Sequence, residues 1–153
     1  MPADDRPYPP DLTDDHLVCW RARFMPMIRS FSSDDYEAVC AVWTAAGRET
    51  LPRHEITDPS LMVVAQDGDR VCGVVMGTFD GRRGWILRLA VHPQHRRRGV
   101  ATRLVAELEA RLRRIGCLRA NLLVLPDNAA GLAFWQRLGY LPCPDVLCTK
   151  PLV

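Results

Sequence analysis

Lysine is nearly absent from this chain of 153 residues: of its 20 basic residues one, Lys150, is lysine and the others are arginine. Arginine suits phosphate recognition because its planar fork meets two oxygens at once, but a genome-wide coding bias gives the same skew, and we favour the bias. Long apolar runs are missing too. None reaches the roughly 20 residues that a membrane-spanning helix needs, so no membrane partner is expected. The 6 cysteines stand at positions 19, 40, 72, 117, 143 and 148, none in C-x-x-C spacing, and the 4 histidines form no ligand cluster. Buried free thiols are expected, with no metal site and no disulfide framework. A net charge of +2 is too small to argue for nucleic acid. The proline- and aspartate-rich beginning resembles neither a secretory signal nor a transit peptide, which places the protein in the cytoplasm.

What is present is ordinary for a globular domain, with 48% apolar and 25% charged residues. Residues 1–26 differ from the rest and read as an N-terminal extension, with residues 17–20 as the apolar cluster. Residues 27–153 read as one domain. A short strand over 27–31 precedes a helix capped by Ser32 or Ser33, with Tyr36, Val39, Cys40 and Trp43 as its apolar stripe. Residues 48–59 read as a loop with at most one helical turn. Strands are expected over 61–66, 71–79 and 84–91, the first two joined by a tight hairpin. A helix over 99–115 follows, with Arg103–Glu107, Glu107–Arg111 and Glu109–Arg113 as pairs on its outer face. A strand over 118–125, a helix from about Asn128 to Leu138 and a last strand over 146–149 complete the order. The pattern predicts an α+β fold, a three-layer α/β/α sandwich around one mixed, mostly antiparallel sheet.

The chain is organised around residues 87–104. Leu87, Leu89 and Val91 alternate with Arg88 and Ala90, as in a half-buried strand. His92-Pro93 ends it. Arg96, Arg97 and Arg98 form a cationic turn, and Gly99 opens the helix. A glycine there lets a ligand approach the backbone. The first helical N–H groups have no partner inside the helix and the dipole is positive. The stretch is therefore suited to a diphosphate.

Arg96-Arg97-Arg98-Gly99-Val100-Ala101 resembles the R/Q-x-x-G-x-G/A signature of the GNAT N-acetyltransferases. Asn128-Ala-Ala-Gly-Leu-Ala-Phe134-Trp135-Gln-Arg-Leu-Gly139-Tyr140 resembles their second block, N-x-x-A-x-x-x-Y-x-x-x-G-F. The likeness is to the small, RimI-like single-domain members and covers roughly residue 27 to the C-terminus. It implies a GNAT-type fold, acetyl-CoA as cosubstrate without a metal, and direct attack of an amine on the thioester. It also implies a cofactor site of Leu89, Ala90, Val91, Arg96, Arg97, Arg98, Gly99, Val100, Ala101, Thr102, Asn128 and Trp135. Residues 89–91 would pair through their backbones with the pantetheine arm, and an N–H there would polarise the acetyl carbonyl. Gly99, Val100 and Ala101 would offer N–H groups to the diphosphate. Asn128 would contact the CoA arm; a helix cap is its other reading, and both roles can coexist. Dimers are frequent in this fold, which leaves a homodimer open.

Two departures bear on chemistry. Trp135 stands where the family commonly has the tyrosine that protonates the leaving thiolate, and an indole N–H is a donor but no practical acid. Trp135 would pack on the pantetheine, bond the sulfur, or serve as a core residue. Arg88 and Leu123 stand where members often carry a basic glutamate. Glu49, His54 and Glu55 lie in the segment that the family places near the acceptor, each also readable as a solvated loop residue. Cys148 would be near the thioester or simply structural. The catalytic residues stay unassigned. The acceptor is a peptide N-terminus, a lysine or a small amine, with the RimI likeness favouring a peptide amine slightly. The competing reading is an acyl-CoA-binding sensor or interaction module with little turnover.

Overall fold

The computed structural model describes residues 25–153, in two compact units that divide between Asn121 and Leu122. Of the extension read over 1–26, residues 1–24 lie outside the described residues, and Cys19 with them.

The first unit runs β1 (Met27–Ser30), α1 (Tyr36–Ala45), β2 (Met62–Asp67), β3 (Arg70–Phe79), β4 (Gly84–Val91), α2 (Val100–Arg114) and β5 (Ala120–Asn121). The strands lie in the order β1-β2-β3-β4-β5. Neighbours up to β4 are antiparallel and β5 runs parallel to β4. The period of two along each strand decides which helix each side chain meets. Met62 and Val64, paired with Met76 and Val74, pack with Ala90 on Val39, Val42 and Trp43 of α1. The alternate positions face α2: a Cβ on Gly77 would lie 2.7 Å from Leu108 Cδ1, so the helix sits close only because that position is bare. Helix, sheet and helix make the three layers predicted.

Local chemistry sets the helix ends. The Ser32 hydroxyl and the Asp35 carboxylate cap the Ser33–Asp35 turn that leads into α1. Arg29 clamps Asp35 through two bonds of 2.7 Å, which holds the Asp35 carboxyl below its ordinary value. On α2, Arg111–Glu107 and Arg113–Glu109 pair at 2.8 Å as predicted. Arg103 instead donates to the Pro26 carbonyl at 2.6 Å. A fixed carbonyl costs no second side chain its freedom, so it competes well with a Glu107 carboxylate that already pairs with Arg111.

The second unit holds α3 (Ala129–Arg137). Two predicted strands differ. The strand expected over 118–125 is limited to Ala120–Asn121, and the one expected over 146–149 is not formed among the described residues. An apolar run becomes a strand only as far as a neighbour can pair with it, and the β4–β5 ladder stops at Trp85 and Asn121. Around 146–149, Pro142, Pro144 and Pro151 lack the N–H that a ladder needs. Residues 48–59 hold the Arg53–Glu55 turn and lead into a further one at Pro59–Leu61.

The second half of β4 carries a bulge. Val74 pairs with Ala90 but Met76 pairs with Leu87, so Val75 faces both Arg88 and Leu89. Arg88 has φ 56°, a left-handed backbone that costs a non-glycine residue about 1–2 kcal/mol. The fully buried Trp43 donates its indole N–H to the Arg88 carbonyl at 3.2 Å. Trp43→Phe keeps a ring and removes this donor. We expect a loss of about 1–3 kcal/mol, read as a lower urea midpoint at unchanged slope. An unchanged midpoint would show that the indole bond does not support the bulge.

Candidate active site

β4 ends in the arginine turn, and the turn is held at several points. The His92 N–H donates to the Cys72 carbonyl at 2.8 Å, while His92 Nδ1 accepts from the Gln94 N–H at 3.3 Å. Pro93–His95 makes one 3-10 turn. Arg96 folds back so that its Nε donates to the Val91 carbonyl at 3.4 Å. Arg96, Arg97 and Arg98 are exposed, and none forms an ion pair within the described residues.

The backbone here is left-handed at Arg97 (φ 61°) and again at Gly99 (φ 71°). Such alternation forms concavities that collect N–H groups for an anion. Gly99 is the N-cap of α2, and no side chain caps the helix. Ser32, Asp58 and Asn128, by contrast, each cap their own turn or helix with an oxygen. No acid stands in the first turn of α2, and a Cβ built on Gly99 would meet nothing within 4 Å. Val100 is buried, Ala101 half-buried and Thr102 exposed. The site is thus open, cationic and rich in uncommitted N–H groups, which fits a diphosphate.

Leu89 is half-buried, and Ala90 and Val91 are buried. The ladder with β5 covers only Gly84 and Trp85. Beyond Trp85 no further strand pairs with the outer edge of β4 among the described residues. That edge suits an extended arm added as a strand. The structure therefore brings residues 89–91 and 96–102 together in one unit, at the end of one strand and the start of the next helix.

Asn128 and Trp135 lie in the second unit. The Asn128 side-chain oxygen accepts from the Gly131 N–H at 2.9 Å and caps α3, so the cap reading of Asn128 holds. Trp135 lies edge-on to Phe134 and Tyr140, with ring centroids 5.0 and 5.3 Å apart. It is a packed ring whose N–H can donate but not act as an acid.

The segment 48–59 is tied down. Tyr36 donates to the Leu51 carbonyl at 2.9 Å and Arg88 to the Glu49 carbonyl at 2.8 Å. The Arg53 guanidinium stacks 4.0 Å from the Tyr36 ring centre. Glu49, His54 and Glu55 are exposed, and no polar or charged residue among those described is buried. None of the three thus has the buried setting that tunes a general base.

The described residues contain no group of three or more His, Cys, Asp or Glu placed to hold a metal. No described helix is long and apolar enough to cross a membrane. Cys72 and Cys117 are buried, while Cys143 and Cys148 are exposed, so the expectation of buried thiols fails for the last two. An apolar neighbourhood in sequence does not bury a residue that no element covers. Trp43, which bonds the Arg88 carbonyl, and the hydrogen-bonded Asp67 and His95 were not among the predicted site residues. No local signal marks them, because each acts on a residue distant in sequence.

The chain belongs to the acetyltransferase (GNAT) family, whose pattern matches residues 17–140. The match begins within the stretch read as an extension. The chain is 36% identical over 134 residues to an acetyltransferase from Pectobacterium atrosepticum, covering 82% of this chain and 95% of that protein. Its fold is similar to that of Ard1 from Thermoplasma volcanium, with a TM-score of 0.70 and 26% identity over 76% of this chain and 83% of the other. It is also similar to a ribosomal-protein-alanine N-acetyltransferase of Escherichia coli, with a TM-score of 0.67 and 20% identity over 75% and 77%. The protein is an N-acetyltransferase of a family that uses acetyl-CoA.

Cys72 lies behind the turn, and burial pushes its thiol up to about 11. At pH 8 it is almost wholly protonated and unreactive. Iodoacetamide labelling followed by peptide mass spectrometry should leave Cys72 unmodified in the native protein and modify it in urea. Labelling of native Cys72 would show that it is accessible as a thiolate.

Proposed function

We propose that this acetyltransferase moves the acetyl group of acetyl-CoA onto a primary amine by direct attack, with the diphosphate held by residues 96–102 and the pantetheine arm along residues 89–91. The observation that carries this reading is the uncapped start of α2. There a left-handed Gly99 with open space above it follows three exposed arginines that form no ion pair among the described residues. The bulged end of β4 leads into this turn, and beyond Trp85 no described strand pairs with its outer edge. In this reading the Arg side chains and the first N–H groups of α2 bind and orient the cosubstrate. Positioning then supplies much of the rate, because a held amine and thioester no longer need to meet by diffusion. The family resemblance also assigns Asn128 and Trp135, in the second unit, to cosubstrate binding.

The acceptor is an amine on a peptide N-terminus, a lysine or a small molecule, and we favour the peptide amine of a RimI-like enzyme. The tied segment 48–59 would form one wall for it. Water relays the proton, because Glu49, His54 and Glu55 are exposed and Trp135 is no acid. The reading places the enzyme in the cytoplasm, and homodimerisation is open to a sedimentation measurement.

One feature favours a second reading, that of an acyl-CoA sensor with little turnover: Trp135 stands packed against Phe134 and Tyr140 in place of the family tyrosine. A thermal-shift titration with acetyl-CoA, followed by thiol release with a panel of peptide and small amines, separates the two. A ligand of the folded state at about a hundred times its Kd adds about 2.7 kcal/mol. We expect a shift for the native protein, none for Gly99→Glu, and CoA release that depends on an amine. A shift without release from any amine would favour the sensor. No shift for a well-folded protein would remove the cosubstrate assignment at this turn.

A further inference from the structure

The arginine turn places three like charges side by side, with a left-handed residue in their midst. Both features disfavour the conformation unless something outside the turn holds it. One tie is the backbone bond from His92 to the Cys72 carbonyl. The second is a side-chain pair. His95, the residue before Arg96, places its Nε2 at 3.0 Å from Asp67 Oδ2, on the last residue of β2. The His95 side chain is 18% and the Asp67 side chain 41% exposed. The ring is also braced edge-on by His92, at 5.9 Å between centroids. His95 Nδ1 is buried and has no hydrogen-bond partner among the described residues. The Asp67 carboxylate can only accept, so Nε2 carries the proton that joins the pair.

We propose that the Asp67–His95 pair is a positioning device that holds the arginine turn in its anion-receiving form. The proposal rests on reading residues 96–102 as the diphosphate site. Neither residue touches the acetyl group or the amine in this scheme. Their effect falls on affinity for donors that carry the diphosphate.

The test measures acetyl-CoA binding by calorimetry, together with turnover of acetyl-CoA and of acetyl-pantetheine, a donor without the diphosphate. The variants are Asp67→Ala, His95→Phe, the double variant, His95→Gln and Gly99→Glu. Asp67→Ala and His95→Phe should each raise Kd and KM for acetyl-CoA roughly five- to tenfold at unchanged kcat. The double variant should be no worse than the weaker-binding single one, because both remove one interaction. His95→Gln, which keeps an amide donor, should bind close to the native protein. Acetyl-pantetheine turnover should not change in any of these four. Native affinity in Asp67→Ala and His95→Phe, with binding lost in Gly99→Glu, would overturn the pair and leave the site. Native affinity in Gly99→Glu would overturn the site itself. An equal loss with acetyl-pantetheine would mean general damage and would also overturn the proposal. If His95→Phe does not fold, Asp67→Ala decides.

Discussion

The hydrogen bond from the Trp43 indole to the Arg88 carbonyl is the point on which the first unit turns. It joins a buried residue of α1 to the one non-glycine residue of the described strands with a left-handed backbone. A bulge needs such support, because its extra residue leaves the ladder and its carbonyl loses a partner. With the bulge held, β4 keeps its register with β3 on one side and runs past the short β5 on the other. The same residue sends its side chain to the Glu49 carbonyl. One strained position thus links α1, β4 and the segment 48–59.

From that bend the chain passes into a turn whose chemistry is opposite to that of the core. Up to Val91 the strand is held by apolar burial and ladder bonds. After it come three exposed cations and a helix start with no cap. Ser32, Asp58 and Asn128 each cap the turn or helix that follows them. A terminus that lacks such a cap and faces open space keeps its N–H groups for a partner from outside. Stability and binding are divided along this boundary. The apolar face of α2, through Val100, Leu104 and Leu108, is buried in the core, and its first turn carries no side-chain cap.

The family signature concerns the donor and says little about the acceptor. The described residues contain no buried acid or base, and the ring at the family tyrosine position belongs to a tryptophan in an aromatic cluster. In the proposed reading the enzyme works by placement: a held donor, a polarised carbonyl and a solvent-assisted proton transfer require little else of the side chains.

Much was legible in the sequence. Alternation placed β4 over residues 84–91, as observed, and the 3.6 period placed α2 to within a residue at each end. The arginines and Gly99 marked an exposed cationic turn at an uncapped helix start, which the structure shows. These features are local, and local chemistry determines them. Tertiary structure decided the rest. The strand expected over 118–125 shrank to two residues because strand length depends on a partner's edge. Arg103 chose the Pro26 carbonyl over Glu107 because folding brought β1 within its reach. Trp43 looked like one more apolar residue, and His95 like one more polar one, until packing placed each beside a residue far away in the chain. Hydrogen bonds of that kind depend on angstrom-scale distances between separate elements, and no spacing within the sequence encodes them.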